Sequence, residues 1–107
     1  MATVKITLTN FDKEILNAKK PAILDFWATW CGPCQWMSPV FDELSDEYGK
    51  KMIFGKVNVD EETLLSQKFG IRGIPCMILF KNGEEADRIV GFVPKEELEA
   101  KLKGFLA

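Results

Sequence analysis

A chain of 107 residues is long enough to bury roughly two-thirds of the surface its unfolded form exposes, so it needs no disulfide staples. Its 47% hydrophobic and 28% charged residues exclude disorder. With 14 Lys and Arg against 16 Asp and Glu the formal charge is −2, which excludes the positive field that nucleic acid or an anionic membrane surface would require. Three cysteines are too few, and odd in number, for a disulfide framework. With no histidine present, zinc would have three thiolates and no imidazole, so no metal is expected.

The first residues, Met1 to Thr7, carry no basic segment leading into an apolar core. No apolar run approaches the ~18 residues of a membrane span, and a cytoplasmic address is the expectation. Val4 to Leu8 reads as a first strand. Thr9 with Asp12 resembles a capping box for a helix that runs to about Ala18 with Phe11, Ile15 and Leu16 as its apolar stripe, until Pro21 stops it. Ala22 to Ala28 is an apolar run broken only by Asp25, the pattern of a central strand covered on both faces. From Pro33 to about Gly49, Met37, Val40, Phe41, Leu44 and Tyr48 recur at spacings of three and four, which predicts a long amphipathic helix kinked at Pro39.

Met52 to Val59 follows as a third strand. Asp60 is the expected N-cap of a short helix ending at Phe69, with Gly70 as its stop. Pro75 to Phe80 reads as a fourth strand, and Asn82-Gly83 predicts a tight hairpin to Glu85–Val90, because both central positions of a type I′ turn need positive φ. A last helix begins near Pro94 and sets Leu98, Leu102, Phe105 and Leu106 on one face. The order is that of an α/β domain over residues 1–107. It implies a mixed sheet, with parallel crossovers through the helices and one antiparallel hairpin near the end.

The chemistry concentrates in Trp30-Cys31-Gly32-Pro33-Cys34, where the buried strand ends and the long helix begins. The unpaired N–H groups and dipole of a helix N-terminus stabilise an anion, so Cys31 is expected to be the nucleophile. Cys34, one turn on, reaches the same face and serves as the resolving thiol. Half of a metal site is the alternative, but it needs two further ligands and only Cys76 remains.

These residues resemble the signature of the thioredoxin family: Asp25-Phe26-Trp27-Ala28, then Trp30-Cys31-Gly32-Pro33-Cys34. Further matches follow in order: Pro39, Lys56 with Asp60, Gly73-Ile74-Pro75, Phe80-Lys81-Asn82-Gly83 and Val90-Gly91. The resemblance implies a thioredoxin fold, a central mixed sheet of about five strands flanked by about four helices. It also implies a protein-disulfide reductase without cofactor, recharged by thioredoxin reductase, acting on disulfide-containing client proteins and expected to be a monomer.

By the same resemblance Asp25 lies beneath Cys34 as its general base, with Lys56 as electrostatic modulator. Read from the residues alone, a desolvated Asp25 has a raised pKa, and a salt bridge to Lys56 is the competing role. In the family the proline matching Pro75 is cis and stands against the cysteine pair. Trp30, Gly32, Pro33, Gly73, Ile74, Gly91 and Phe92 would then form an apolar substrate rim around Cys31, with a core position as the alternative for Phe92. Trp27 and Phe26 are assigned to support.

Thr29, Gln35, Trp36 and Cys76 depart from the family pattern. Gln35 stands where a lysine is frequent and removes one favourable charge beside the Cys31 thiolate. Cys76 is either a buried apolar filler or a third redox-accessible thiol. An oxidase or isomerase on the same fold is the nearest rival, and Gly32-Pro33 speaks against it, since oxidants of this fold carry a histidine there. A binding module of a larger enzyme is the second rival.

Overall fold

The structure, a computed structural model, describes residues 2–107. In chain order it contains β1 (Thr3–Lys5), a helical turn (Asp12–Leu16), β2 (Ala22–Trp27), α1 (Gly32–Tyr48), β3 (Ile53–Asn58), α2 (Thr63–Lys68), β4 (Cys76–Lys81), β5 (Glu84–Val90) and α3 (Lys95–Leu106). The sheet order is β1-β3-β2-β4-β5, so the apolar strand β2 is central. β1, β3 and β2 run parallel, whereas β4 is antiparallel to both β2 and β5. The sheet is mixed as expected, but the connection through α2 reverses the chain, adding a second antiparallel pairing to the hairpin.

Side-chain alternation along the strands divides the interior into two layers. Leu24 and Phe26 of β2 with Cys76, Ile78 and Phe80 of β4 face Phe11, Ile15 and Leu65. Ile23, Phe54, Met77 and Leu79 point the opposite way, onto Met37, Phe41 and Leu44 of α1 and Leu98 and Leu102 of α3. Full burial of each such side chain is worth ~1.5–3 kcal/mol. Alternation thus sends Asp25, two residues from Ile23, to the α1 side, and Cys76 to the other.

Three local expectations need correction. β1 stops at Lys5, and Thr9 with Asp12 does not cap the following turn. Thr7 and Asn10 do so instead: the Thr7 N–H donates to Asn10 Oδ1 at 2.8 Å and the Asn10 N–H to Thr7 Oγ1 at 3.3 Å. This reciprocal pair turns the chain before Leu8, which stays exposed. The turn itself is wide, closed by an i→i+5 bond from the Asn17 N–H to the Asp12 carbonyl at 2.9 Å.

The third correction concerns α2, which starts at Thr63 without a side-chain cap, so Asp60 is not its N-cap. Its far end follows expectation. The Gly70 N–H donates to the Gln67 carbonyl at 3.1 Å and the Ile71 N–H to the Ser66 carbonyl at 2.9 Å, the two bonds of a Schellman stop, with Gly70 at φ 61°. The Asn82-Gly83 turn also forms, with φ of 55° and 78°. A Cβ at position 83 would lie 2.6 Å from the Leu16 carbonyl oxygen, so the hairpin tip admits only glycine.

Candidate functional site

The end of β2 delivers the chain into α1 through Ala28, Thr29 and Trp30, and Cys31 becomes the N-cap residue of that helix in extended conformation. Its sulfur takes the place of a capping oxygen, accepting the Cys34 N–H at 3.2 Å. Pro33 in the first turn has no N–H to leave unsatisfied there, so it suits the position. Cys31 and Cys34 are joined as a disulfide, their Cα atoms 5.2 Å apart. Both are nearly covered, Cys31 at 5% exposure and Cys34 at 2%.

Around Cys31 the chain supplies an apolar surface from three segments. Trp30 is 70% exposed, and its indole N–H donates to Asp60 Oδ2 at 2.9 Å. This is the use to which Asp60 is put, and spacing along the chain carries no signal for it. The Ile74–Pro75 bond is cis, and the Ile74 carbonyl oxygen lies 3.7 Å from Cys31 Sγ. The Gly91 N–H donates to the Pro75 carbonyl at 2.8 Å, holding the segment after β5 against it. Phe92 is 42% exposed, which removes it from the core, and its ring meets Trp36 edge-to-face at 6.2 Å. Gly32 and Pro33 are exposed, and Gly73, Ile74 and Gly91 are half-buried.

Behind the disulfide lies a cavity of about 80 Å³ lined by Asp25, Trp27, Cys34, Gln35, Ser38 and Lys56. It joins the buried cysteine to the buried carboxylate and has room for water. Asp25 is fully buried, and among the described residues its Oδ1 has no hydrogen-bond partner. Burial pushes the Asp25 pKa up to about 7; the nearby Lys56 charge opposes that rise and Asp42 adds to it.

Lys56 is the cross-strand neighbour of Asp25, yet its ammonium turns to α1. It pairs with Asp42 Oδ1 at 2.7 Å and donates to Ser38 Oγ at 2.9 Å. The competing salt-bridge role of Asp25 therefore goes to Asp42. Sequence reasoning missed Ser38 and Asp42, although a signal was present: Cys34, Ser38 and Asp42 recur every four residues and share one face of α1.

Residues 2–104 match the family model described as Thioredoxin. The chain belongs to the thioredoxin family. It is 48% identical over 98 residues to the thioredoxin of Staphylococcus haemolyticus, covering 92% of each chain. It is 44% identical over 105 residues to that of Alicyclobacillus acidocaldarius, covering 98% of this chain and 99% of the relative. The thioredoxin of Porphyra purpurea is 38% identical over 107 residues, the full length of both. Family members are protein dithiol–disulfide oxidoreductases whose clients are disulfide-containing proteins, and this is the activity of the chain. No helix among the described residues is long and apolar enough to cross a membrane.

Cys76 opens β4 within the layer opposite the disulfide. It is buried and free, and burial raises its pKa against the opposing pull of Arg88. A covered, protonated thiol reacts only through local opening. In the oxidised protein one thiol is therefore expected to label slowly with a maleimide or Ellman's reagent until denaturant is added. Fast labelling of the native protein would assign Cys76 to the redox chemistry.

Proposed function

We propose that residues 1–107 act as one thioredoxin domain that reduces client disulfides, with Cys31 as nucleophile, Cys34 as resolving thiol and Asp25 as the general base for Cys34. The observation that carries this reading is the disulfide at the N-cap of α1, with Asp25 and Cys34 on one internal cavity. At the N-cap the helix dipole favours a thiolate on Cys31. That thiolate attacks a client disulfide, forming a Cys31–client mixed disulfide and releasing one client thiolate. Asp25 takes the Cys34 proton, and the Cys34 thiolate attacks Cys31 Sγ, closing the Cys31–Cys34 bond and releasing the second client thiolate. A carboxyl with a pKa of about 7 both accepts and returns a proton near neutral pH.

Trp30, Gly73, Ile74, Gly91 and Phe92 form the substrate rim in this reading, and Trp27 and Pro75 support it. The backbone at Ile74 is placed to pair with an extended client segment, a form of strand addition. The domain works as a cytoplasmic monomer and is returned to the dithiol by thioredoxin reductase.

Gly32-Pro33 offers no histidine to stabilise the Cys31 thiolate. The disulfide is therefore expected to resist reduction, placing the protein with reductants instead of oxidants. Equilibration with glutathione buffers and acid trapping measures this directly. Each 30 mV is about 1.4 kcal/mol for a two-electron couple. Ready reduction by a mildly reducing glutathione buffer would place the chain among the oxidants.

A further inference from the structure

We propose that Asp42 and Ser38 are positioning residues for the resolving step, holding the Lys56 ammonium in the wall beside the Asp25 cavity so that Asp25 stays able to take and release the Cys34 proton. The inference rests on the reading of Asp25 as general base. Its geometric basis is the pair of contacts that turn Lys56 away from its cross-strand neighbour, 2.7 Å to Asp42 and 2.9 Å to Ser38. Both charged side chains are largely covered, Lys56 at 21% and Asp42 at 18% exposure, so solvent screens the pair only in part.

The alternative position of Lys56 shows what the arrangement achieves. An ammonium paired directly with a buried carboxylate would favour its ionised form and draw its pKa back toward the ordinary carboxylate range. Asp25 would then be ionised throughout the working pH range and too weak a base to draw a proton from a buried thiol. Asp42 prevents this twice over, by engaging the cation and by placing a second negative charge near Asp25. The charged and titratable groups on the Asp25 side of the sheet are Lys56 from β3 and Cys34 and Asp42 from α1, while Cys76 of β4 lies on the other face.

Lys56 and Trp27 also border a second, outer groove of about 490 Å³ that reaches Val4, Thr29, Asn58 and Glu61. The same two side chains therefore stand between the inner cavity and the outer groove. In the resolving step Cys34–SH and the Asp25 carboxylate become the Cys34 thiolate and the Asp25 carboxylic acid. That acid must then lose its proton to solvent before the next cycle, and the Lys56 wall is where the cavity meets the groove.

The test is a ¹³C NMR titration of Asp25 in the oxidised protein, where Cys34 carries no titrating proton, combined with the pH profile of mixed-disulfide resolution. Asp42→Asn is expected to lower the Asp25 midpoint by about one pH unit, with the resolution profile moving the same way. Ser38→Ala, which removes one anchor and no charge, is expected to give a smaller shift in that direction. In a Lys56→Met background the Asp42→Asn shift should fall to less than about half, since most of it acts through the ammonium. An unchanged midpoint, or an equal shift in both backgrounds, overturns the positioning role. Asp25→Asn separates the two levels of the argument. If it flattens the resolution profile while Asp42→Asn does nothing, the positioning inference alone fails; if the profile survives Asp25→Asn, the general-base reading fails and takes this inference with it.

Discussion

Cys31→Ser is expected to reduce insulin-disulfide cleavage to the uncatalysed rate, whereas Cys34→Ser should accumulate a stable mixed disulfide between Cys31 and the client. The asymmetry follows from where the two sulfurs sit. Cys31 is the helix N-cap, 3.7 Å from the Ile74 carbonyl oxygen and bordered by exposed Trp30, Gly32 and Pro33. Cys34 lies one turn inside and lines the Asp25 cavity. A client disulfide can therefore approach the first sulfur along the rim, while the second is reached only from within. Peptide mapping of the trapped complex checks the assignment. A client linked through Cys34 would reverse the roles.

The second large effect is on stability. The folded protein holds the Asp25 pKa at about 7 against an ordinary 3.8. Between those values the folded state binds more protons than the unfolded state, so this group makes stability fall as pH rises from about 4 to about 7. The difference of roughly three units corresponds to about 4 kcal/mol, fully felt above pH 7 and absent below pH 4. Asp25→Ala removes the ionisation penalty and is expected to stabilise the protein by up to that amount at pH 8, less the cost of a slightly larger cavity. The gain should vanish by about pH 4.

Urea denaturation of both proteins at pH 8, 6 and 4 measures the effect. Taking the difference between them cancels other groups whose pKa values folding shifts, such as Glu85 and Asp87, both lowered by hydrogen bonds from basic side chains. The same variant should resolve mixed disulfides more slowly near neutral pH. A large loss of stability at pH 8 that fades toward pH 4, with unchanged turnover, would mean that Asp25 serves as a salt-bridge partner after all.

Much of this site is legible before any coordinates. Met37, Phe41 and Leu44 announce the buried face of α1, and the apolar run around Asp25 announces a strand covered on both sides. Together they place Cys31 and Cys34 at a strand-to-helix junction. Asn82-Gly83 and Gly70 are legible for a backbone reason, since each occupies a conformation that few residues tolerate.

What escapes the sequence is the choice among local partners that fit equally well. Thr7–Asn10 and Thr9–Asp12 are overlapping patterns of the same capping chemistry, and the burial of Ile6 and Phe11 decides between them. Asp60 fits an N-cap, yet its carboxylate meets an indole thirty positions away in the chain. Lys56 has two candidate carboxylates, one on the adjacent strand and one on the helix above. Cross-strand register favours the first, while Ser38 and Asp42, stacked one turn apart, offer two acceptors on one face of the helix.

The two margins of the sheet differ from its centre in a way that bears on behaviour at high concentration. β1 offers a neighbouring molecule only three residues, one of them Lys5, which pairs with Glu61. β5 is longer but carries Glu84, Glu85, Asp87 and Arg88 along its length, and a register irregularity at Leu79/Phe80 bends the ladder beside it. An incoming strand would have to stack charge on charge or match a twisted edge, so neither margin templates ribbon growth. A protein with exposed Trp30 and Phe92 beside its disulfide is thereby kept from polymerising through its own backbone.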